Sequence, residues 1–230
     1  MSDTAIVTGG TGGLGAAVVQ RLLDDGWRVV VPWIVERELE RVQEHERLEL
    51  VKADLFDHDA VAGVIAAAIA GSSGALRGLV NLVGGFGVAD RVHETPIEKF
   101  EEQLRLNLRP TYLMTAAALG PMLEAGGGSV VCVGSRAALQ PFRGASGYVT
   151  SKAAVIAFAQ AVAVEYKNDG IRCNAILPSV IDTPANRASM PKADFEKWVK
   201  PAEIAGVIAH LLSDASRPTS GAAIPVYGRA

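Results

Sequence analysis

Short runs of apolar and β-branched residues alternate with longer segments of helical periodicity along the whole chain. The runs predict strands at Ala5–Thr8, Arg28–Val31, Leu48–Lys52, Gly78–Val83, Ser129–Val133, Ile171–Leu177 and Ala222–Val226. The longer segments predict helices at Leu14–Asp25, Asp57–Ala70, Ile97–Ala125, Tyr148–Lys167 and Ala202–Ser213. Strands that are apolar on both faces need helices on both sides of their sheet. The pattern therefore predicts an α/β fold with a doubly wound parallel sheet of about seven strands.

The same pattern bears on domain organisation. The sequence contains no linker, repeat or low-complexity tract, so we expect residues 1–230 to form a single domain. Gly126–Gly128 predicts a helix end directly before a strand. The least regular stretch, Thr183–Trp198, holds two prolines and predicts an excursion over the carboxyl edge of the sheet. We expect residues 183–200 to form a substrate lid there.

Composition excludes several classes of function. A net charge of −3 provides no basic field for nucleic acid. No apolar run reaches the ~18 residues of a membrane-spanning helix, and no signal-peptide pattern is seen. Cys132 and Cys173 lie in strand-like runs, which indicates buried free thiols in a reducing cytoplasm. The four histidines lack the spacing of metal ligands. We therefore expect a cytoplasmic protein with no metal, membrane or nucleic-acid partner.

Five glycines occur within "TGGTGGLG", from Thr8 to Gly15, between the first predicted strand and the first predicted helix. At such a junction, free backbone N–H groups and the positive end of the helix dipole favour a phosphate. Gly9 permits the tight turn, Gly13 leaves space for a pyrophosphate, and Gly15 lets helix and strand pack closely. A P-loop is excluded because no Gly-Lys-Ser/Thr follows. The turn predicts a dinucleotide site.

A second candidate site combines Tyr148 and Lys152, which the predicted helix places one turn apart on one face. Tyrosine has a pKa of about 10, so it is a poor acid or base at neutral pH. We expect the Lys152 ammonium and a positive nicotinamide ring to lower the pKa of Tyr148, which then exchanges a proton as hydride moves. Ser135, at the end of the fifth predicted strand, would hold the same substrate oxygen. A serine hydrolase is excluded because "VGSRA" lacks the Gly-x-Ser-x-Gly elbow.

These motifs occur in one order over essentially the whole chain, and in this the sequence resembles the classical short-chain dehydrogenases/reductases. The matching positions are Thr8-Gly9-x-x-x-Gly13-x-Gly15, Asp54, "NLVGG" at Asn81–Gly85, Asn107, Ser135 and "YVTSK" at Tyr148–Lys152. The resemblance implies a Rossmann fold and an NAD(P)-dependent oxidoreductase that acts on a carbonyl/alcohol substrate. It also implies a homodimer or homotetramer built on the two long predicted helices.

The resemblance further implies roles for individual residues. Asn107, Ser135, Tyr148 and Lys152 would be catalytic, with Asn107 holding the long helix locally open and anchoring a water. Coenzyme contacts would come from Thr8, Gly9, Thr11, Gly13, Leu14, Gly15, Asp54, Leu55, Asn81, Val83, Gly84, Tyr148, Lys152, Pro178, Val180, Ile181 and Thr183.

Three departures from the family pattern bear on the coenzyme. Trp33 stands where an acidic residue usually binds the ribose of NAD, and Leu82 and Val83 replace the usual asparagine and alanine. Ser179 replaces a glycine in the later loop. Arg37 is a candidate contact for the 2′-phosphate of NADP, or equally a solvated charge at a helix start. We therefore favour NADP over NAD and leave both open.

The carboxyl-terminal stretch "DTPANRASMPKADFEKW", with "RPTSG" and "GGF" elsewhere, is similar to the dihydropteridine reductases of the same superfamily. This similarity implies either a structural lid or a pocket for a flat conjugated substrate. The residues expected in that pocket are Gly85, Phe86, Arg136, Asn186, Arg187 and Met190. Carbonyl/alcohol chemistry is favoured because Ser135 is retained. The alternatives are reduction of a quinonoid ring and a non-catalytic protein that senses a dinucleotide.

Overall fold

The computed structural model describes residues 2–70 and 74–229, within which seven parallel strands form one sheet in the order β3-β2-β1-β4-β5-β6-β7. The strands are β1 Thr4–Thr8, β2 Arg28–Trp33, β3 Leu48–Lys52, β4 Leu76–Asn81, β5 Gly128–Val133, β6 Ile171–Pro178 and β7 Ala223–Val226. The predicted doubly wound α/β fold is confirmed. The terminal residues 1 and 230 of the expected domain, and residues 71–73, lie outside the described residues.

Helices cover both faces of this sheet. They are α1 Gly15–Asp24, α2 His58–Ile69, α3 Ile97–Glu124, α4 Ser146–Glu165, α5 Pro184–Ser189 and α6 Pro201–Leu212. One core cluster packs α1 and α6 against the sheet, and a second packs α2, α3 and α4 against the opposite face. Cys132 and Cys173 are buried free thiols in this second cluster, as predicted.

Two strand predictions need correction. β3 is an edge strand paired only with β2, and its Glu49, Leu50 and Lys52 are exposed, so it is not apolar on both faces. β4 ends at Asn81, two residues before the predicted end at Val83. Leu82 and Val83 instead leave the sheet, and the backbone N–H of each donates to the Thr8 hydroxyl, at 3.0 and 3.4 Å.

Within the described chain, one helix is long and apolar enough by composition to cross a membrane, namely α4. A search for an unbroken apolar run missed it because Ser151, Lys152 and Gln160 interrupt the apolar residues. Eight α4 residues, from Gly147 to Ala163, are buried within the protein. This packing against β5, β6 and α3 accounts for the helix's apolar character.

The parallel strands bring their carboxyl ends to one edge of the sheet, and the predicted excursion starts and returns at that edge. Ile181 pairs with Val199 in an isolated parallel bridge, and the Asp182 N–H donates to the Val199 carbonyl at 2.9 Å. The stretch between them therefore has a closed base, anchored by the buried Trp198 and Val199. It contains the short helix α5, which begins at Pro184. Thr183 caps its N-terminus, because the Thr183 hydroxyl accepts the Asn186 N–H.

Candidate active site

The glycine turn has a backbone that requires glycine at two positions. Gly9 has φ +65°, a left-handed conformation that residues with a side chain rarely adopt. A Cβ on Gly15 would overlap the carbonyl oxygen of Gly9 and crowd the Gly10 backbone. The chain therefore packs against itself here, leaving N–H groups at the start of α1 facing the carboxyl edge. This is the arrangement that a pyrophosphate needs.

The segment after β6 lies beside this glycine turn. A Cβ on Gly13 would lie 3.1 Å from the Cγ2 atom of Thr183, so the turn and the base of α5 face each other closely. The buried Pro178 and the half-buried Val180 and Ile181 lie between β6 and Thr183, in the same segment. These residues fit a nicotinamide dinucleotide by their place, because they lie beside the glycine turn at the carboxyl edge, where doubly wound sheets bind dinucleotides.

Three other predicted coenzyme contacts have their side chains engaged within the protein. The Asn81 amide donates to the Thr115 hydroxyl at 3.0 Å and to Cys132 Sγ at 3.8 Å, so it faces α3 and β5. Asp54 Oδ1 accepts the Phe56 N–H at 3.0 Å, while the next residue, Leu55, is buried in the core. These side chains hold the loops that follow β3 and β4 at the carboxyl edge.

Two residues that the sequence reading did not select contact the glycine turn. Glu38 Oε2 accepts a hydrogen bond from the Thr11 hydroxyl at 3.1 Å, and Arg41 Nη1 donates to the Thr11 carbonyl at 3.2 Å. Glu38 and Arg41 also form an ion pair at 3.1 Å. Both lie in a 3-10 helix, Glu36–Arg41, which had no periodic signal in the sequence. Arg37 in the same helix is exposed.

Tyr148 and Ser135 come together at the carboxyl edge, from the start of α4 and the end of β5. Burial raises the pKa of Tyr148 above its ordinary value of 10, and the neighbouring Ser135 hydroxyl offsets part of this rise. In the protein chain, desolvation of the phenolate is the larger effect and the Ser135 hydrogen bond the smaller one. The lowering of the Tyr148 pKa expected from Lys152 together with a bound nicotinamide ring stays a prediction for the coenzyme complex.

Lys152 is buried, with only 7% of the residue exposed, and its Nζ donates to the Val133 carbonyl at 2.9 Å. Desolvation lowers its pKa from 10.5 to about 8, against a smaller opposing effect of Cys132. The fold thus buries the Lys152 ammonium next to the active site, where it loses most of its hydration. A bound substrate or coenzyme oxygen would restore partners to this ammonium.

The burial of Lys152 predicts how the stability of the protein depends on pH. Because the folded pKa of Lys152, about 8, lies below its unfolded value of 10.5, the unfolded chain binds more protons between these values. The buried Lys152 ammonium therefore destabilises the folded state fully below pH 8, and this destabilisation decreases as the pH rises. We expect the stability advantage of Lys152→Met over wild type to shrink by about 2 kcal/mol between pH 7 and pH 9.5. Urea unfolding without coenzyme measures this difference, and a constant advantage would contradict the assignment.

Asn107 joins α3 to the loop after β4. Its Oδ1 accepts the Gly85 N–H at 3.0 Å, and its Nδ2 donates to the carbonyls of Gly85 and Gln103, both at 3.1 Å. A Cβ on Gly84 would lie 2.5 Å from the same Oδ1 and 3.2 Å from Lys152 Nζ. Asn107, Gly84 and Lys152 are therefore neighbours. α3 stays continuous through Pro110, which cannot donate to the helix carbonyl one turn earlier.

An aromatic wall stands beside the Tyr148 phenol. The Phe86 ring meets the Tyr148 ring edge-on with centroids 5.0 Å apart, and it lies 6.2 Å from the Phe142 ring. Phe86 is 64% exposed and Phe142 47% exposed, although both are large apolar rings. The structure therefore brings the predicted pocket residue Phe86 directly to the candidate proton donor, and adds Phe142.

Other predicted pocket residues have partners outside this wall. Arg136 stacks over the Tyr227 ring at 5.1 Å and donates to Gln140. Asn186 donates to the Ile181 carbonyl at 2.8 Å, while Arg187 pairs with Asp182 and stacks over Phe195 at 4.7 Å. Met190, just after α5, is 38% exposed. The lid segment is thus held by its own side chains, and its residues' contacts with substrate stay predictions.

Comparison with known proteins decides the family. The family model described as short chain dehydrogenase matches residues 3–194. This chain belongs to the short-chain dehydrogenase family. It is also 34% identical over 246 residues to the 2-(R)-hydroxypropyl-CoM dehydrogenase of Xanthobacter autotrophicus, covering 99% of this chain and 98% of the relative.

Solved structures agree on the fold of this dehydrogenase. The 3-hydroxyacyl-CoA dehydrogenase type-2 of Mycobacterium avium superposes with TM-score 0.88 at 30% identity, covering 99% of this chain and 95% of that one. A 3-oxoacyl-[acyl-carrier protein] reductase from Brucella melitensis with bound NAD superposes with TM-score 0.85 at 26% identity, covering 98% and 90%. The chain is an NAD(P)-dependent oxidoreductase, and the non-catalytic alternative is set aside.

Proposed function

We propose that this dehydrogenase interconverts a carbonyl group and its alcohol on an apolar, ring-containing substrate. The observation that carries the proposal is the placement of the Ser135 hydroxyl beside Tyr148, next to the exposed rings of Phe86 and Phe142. Exposed apolar surface that borders a concave polar site is typical of a ligand-binding wall. Water-exposed rings would be covered by the apolar part of the substrate.

The two hydroxyl groups have separate tasks in this proposal. Ser135 Oγ accepts the Ala137 N–H at 3.1 Å, and its own hydrogen, which faces the Tyr148 phenol in the protein alone, would turn to a substrate oxygen between the two. The coenzyme supplies the hydride in the reducing direction. Tyr148 gives its proton to the oxygen, and a raised pKa keeps the phenol protonated for that step at neutral pH. Asn107 holds the loop after β4, and Lys152 places its ammonium at the end of β5.

Reduction of a quinonoid ring is the second candidate, favoured by the exposed aromatic rings of Phe86 and Phe142. Ser135→Ala distinguishes the two. We expect kcat/KM toward a reactive diketone to fall about 10²-fold, because one donor to the developing oxyanion is lost. Reduction of quinonoid dihydropterin spreads charge over a ring and needs that donor less. Efficient wild-type dihydropterin reduction that survives the substitution would support the second candidate instead.

The coenzyme preference is proposed to depend on Glu38 and Arg41. A carboxylate next to Thr11 repels a 2′-phosphate and accepts a ribose hydroxyl, whereas a guanidinium attracts the phosphate. Since the two are paired, and Trp33 offers no carboxylate at the end of β2, we propose a modest preference for NADP with NAD also accepted. In this arrangement Arg41 is a nearer candidate than Arg37 for the phosphate.

Opposite charge changes test this assignment. We expect Glu38→Gln to shift the ratio of kcat/KM for NADPH over NADH upward by about tenfold, and Arg41→Gln to shift it downward by a similar factor. Arg37→Ala is the matched control, and we expect it to leave the ratio within twofold. A large change in the control together with none at Arg41 would return the role to Arg37.

The remaining expectations concern assembly and location. We propose that residues 183–200 act as a lid over the substrate, supported by their closed base at Ile181 and Val199.

A homodimer or homotetramer through α3 and α4 is proposed because Tyr112 and Val164 are 54% and 68% exposed on those helices. The buried free thiols support a cytoplasmic location.

A further inference from the structure

The edge of the sheet opposite the active site carries a second cleft. It is lined by residues at the amino ends of β1, β4, β5 and β6 and by the segment that follows α6. Because the strands are parallel, this edge is separated from the glycine turn and Tyr148 by the length of the strands. The cleft has a volume of about 610 Å³, within the range of small-molecule sites.

Charge is the unusual feature of this cleft. Four basic side chains line it, against two carboxylates, in a protein whose net charge is −3. The basic residues are Arg77, Lys167, Arg172 and Arg217, and the acidic ones are Asp3 and Asp214. Among the described residues, none of the four cations lies within ion-pair distance of a carboxylate. The cleft thus carries an excess of positive charge, which Asp214 offsets only in part at Arg172.

Two of these cations are held in place by neutral groups. Arg172 donates to the Ser216 hydroxyl at 2.8 Å and to the Ser213 carbonyl at 3.2 Å, and Arg77 donates to the Gly127 carbonyl at 3.1 Å. These bonds fix the orientation of the two guanidinium groups. Because the partners are uncharged, the bonds do not neutralise the positive charges. Burial lowers the pKa of Arg172, and the nearby Asp214 carboxylate offsets part of this effect. A multiply charged anion would restore favourable electrostatics to the whole cluster.

An aromatic side chain adds a second recognition element. Trp27, directly before β2, is half-buried and lines the same cleft. Guanidinium groups that bind phosphate next to an indole that can stack on a base form a combination typical of nucleotide sites. No residue of the oxidoreductase site takes part in this cleft.

We propose that the cleft at the amino edge binds a small molecule carrying at least two phosphate charges, such as a nucleoside diphosphate. Lys167 and Arg217 are exposed at its rim and would meet the phosphates first, while Arg77 and Arg172 bind them from fixed positions deeper in the cleft. The site would be independent of coenzyme binding at the opposite edge.

The test is isothermal titration calorimetry of the full chain with inorganic pyrophosphate and, separately, with NADH. We expect the double variant Lys167→Ala, Arg217→Ala to lose at least tenfold in pyrophosphate affinity and to keep its NADH affinity within twofold. The control double variant Arg21→Ala, Arg105→Ala removes the same charge elsewhere and should change neither. Absence of pyrophosphate binding by wild type overturns the proposal. So does pyrophosphate binding that NADH displaces and the cleft variant retains, because that would place it at the glycine turn.

A second arm identifies the source of the phosphate. ADP and pyrophosphate are compared in wild type and in Trp27→Leu. A loss of ADP affinity of about tenfold with unchanged pyrophosphate affinity identifies a nucleotide, since stacking on the indole contributes ~1–3 kcal/mol. Equal losses or none for both probes identify a ligand recognised through its phosphates alone.

Discussion

Tyr148→Phe is expected to lower kcat by at least ~10²-fold while coenzyme affinity stays nearly unchanged. The substitution removes only the phenolic oxygen, which is the group that gives a proton to the substrate in the transition state. The ring keeps its edge-on contact with Phe86, so the local packing at the start of α4 is retained. Single-turnover kinetics with NADH or NADPH and a reactive diketone measures the chemical step directly.

Tyr166→Phe is the matched control, because Tyr166 lies at the other end of α4, away from the carboxyl edge. It should leave kcat within twofold. Near-normal turnover by Tyr148→Phe would remove Tyr148 from the proposed proton-transfer role, while the family's oxidoreductase activity would stand. A loss of coenzyme affinity equal to the loss of kcat would point to a positioning role.

Gly15→Ala is expected to abolish measurable coenzyme binding and to destabilise the fold by about 2 kcal/mol or more. The new Cβ would occupy the position of the Gly9 carbonyl oxygen, which is backbone and cannot rotate away. The turn would have to open, and the N–H groups aimed at the pyrophosphate would lose their geometry. Urea unfolding and calorimetric titration with NADH measure the two effects.

Two further alanine variants calibrate this result. Gly63, inside α2, has nothing within 4 Å of the position of a Cβ, so Gly63→Ala should stabilise the protein by about 0.5–1 kcal/mol and leave binding unchanged. Gly13→Ala places its methyl group 3.1 Å from Thr183 Cγ2, a side-chain atom that can shift, so it should fold. If Gly13→Ala binds the coenzyme normally, the pyrophosphate does not pass over Gly13.

The order of strands and helices could be predicted because each depends on local pattern. Apolar runs such as Val29–Val31 and Val130–Cys132 are buried on both faces of the sheet, and they read as strands without further information. The pattern failed at β3, where Leu50 lies at the edge of the sheet. Whether a strand is central or at an edge depends on pairing with distant residues, which periodicity does not record.

The sequence by itself determined the glycine turn and the pair Tyr148 and Lys152, because a backbone junction and an i, i+4 spacing are local geometry. Only the tertiary structure decided the direction of the Tyr148 pKa, the contacts of Glu38 and Arg41 with Thr11, and the basic cleft at the amino edge. Each of these depends on burial or on charges that are far apart in the chain. Desolvation and Coulomb energies are set by three-dimensional neighbours, and a linear pattern does not contain them.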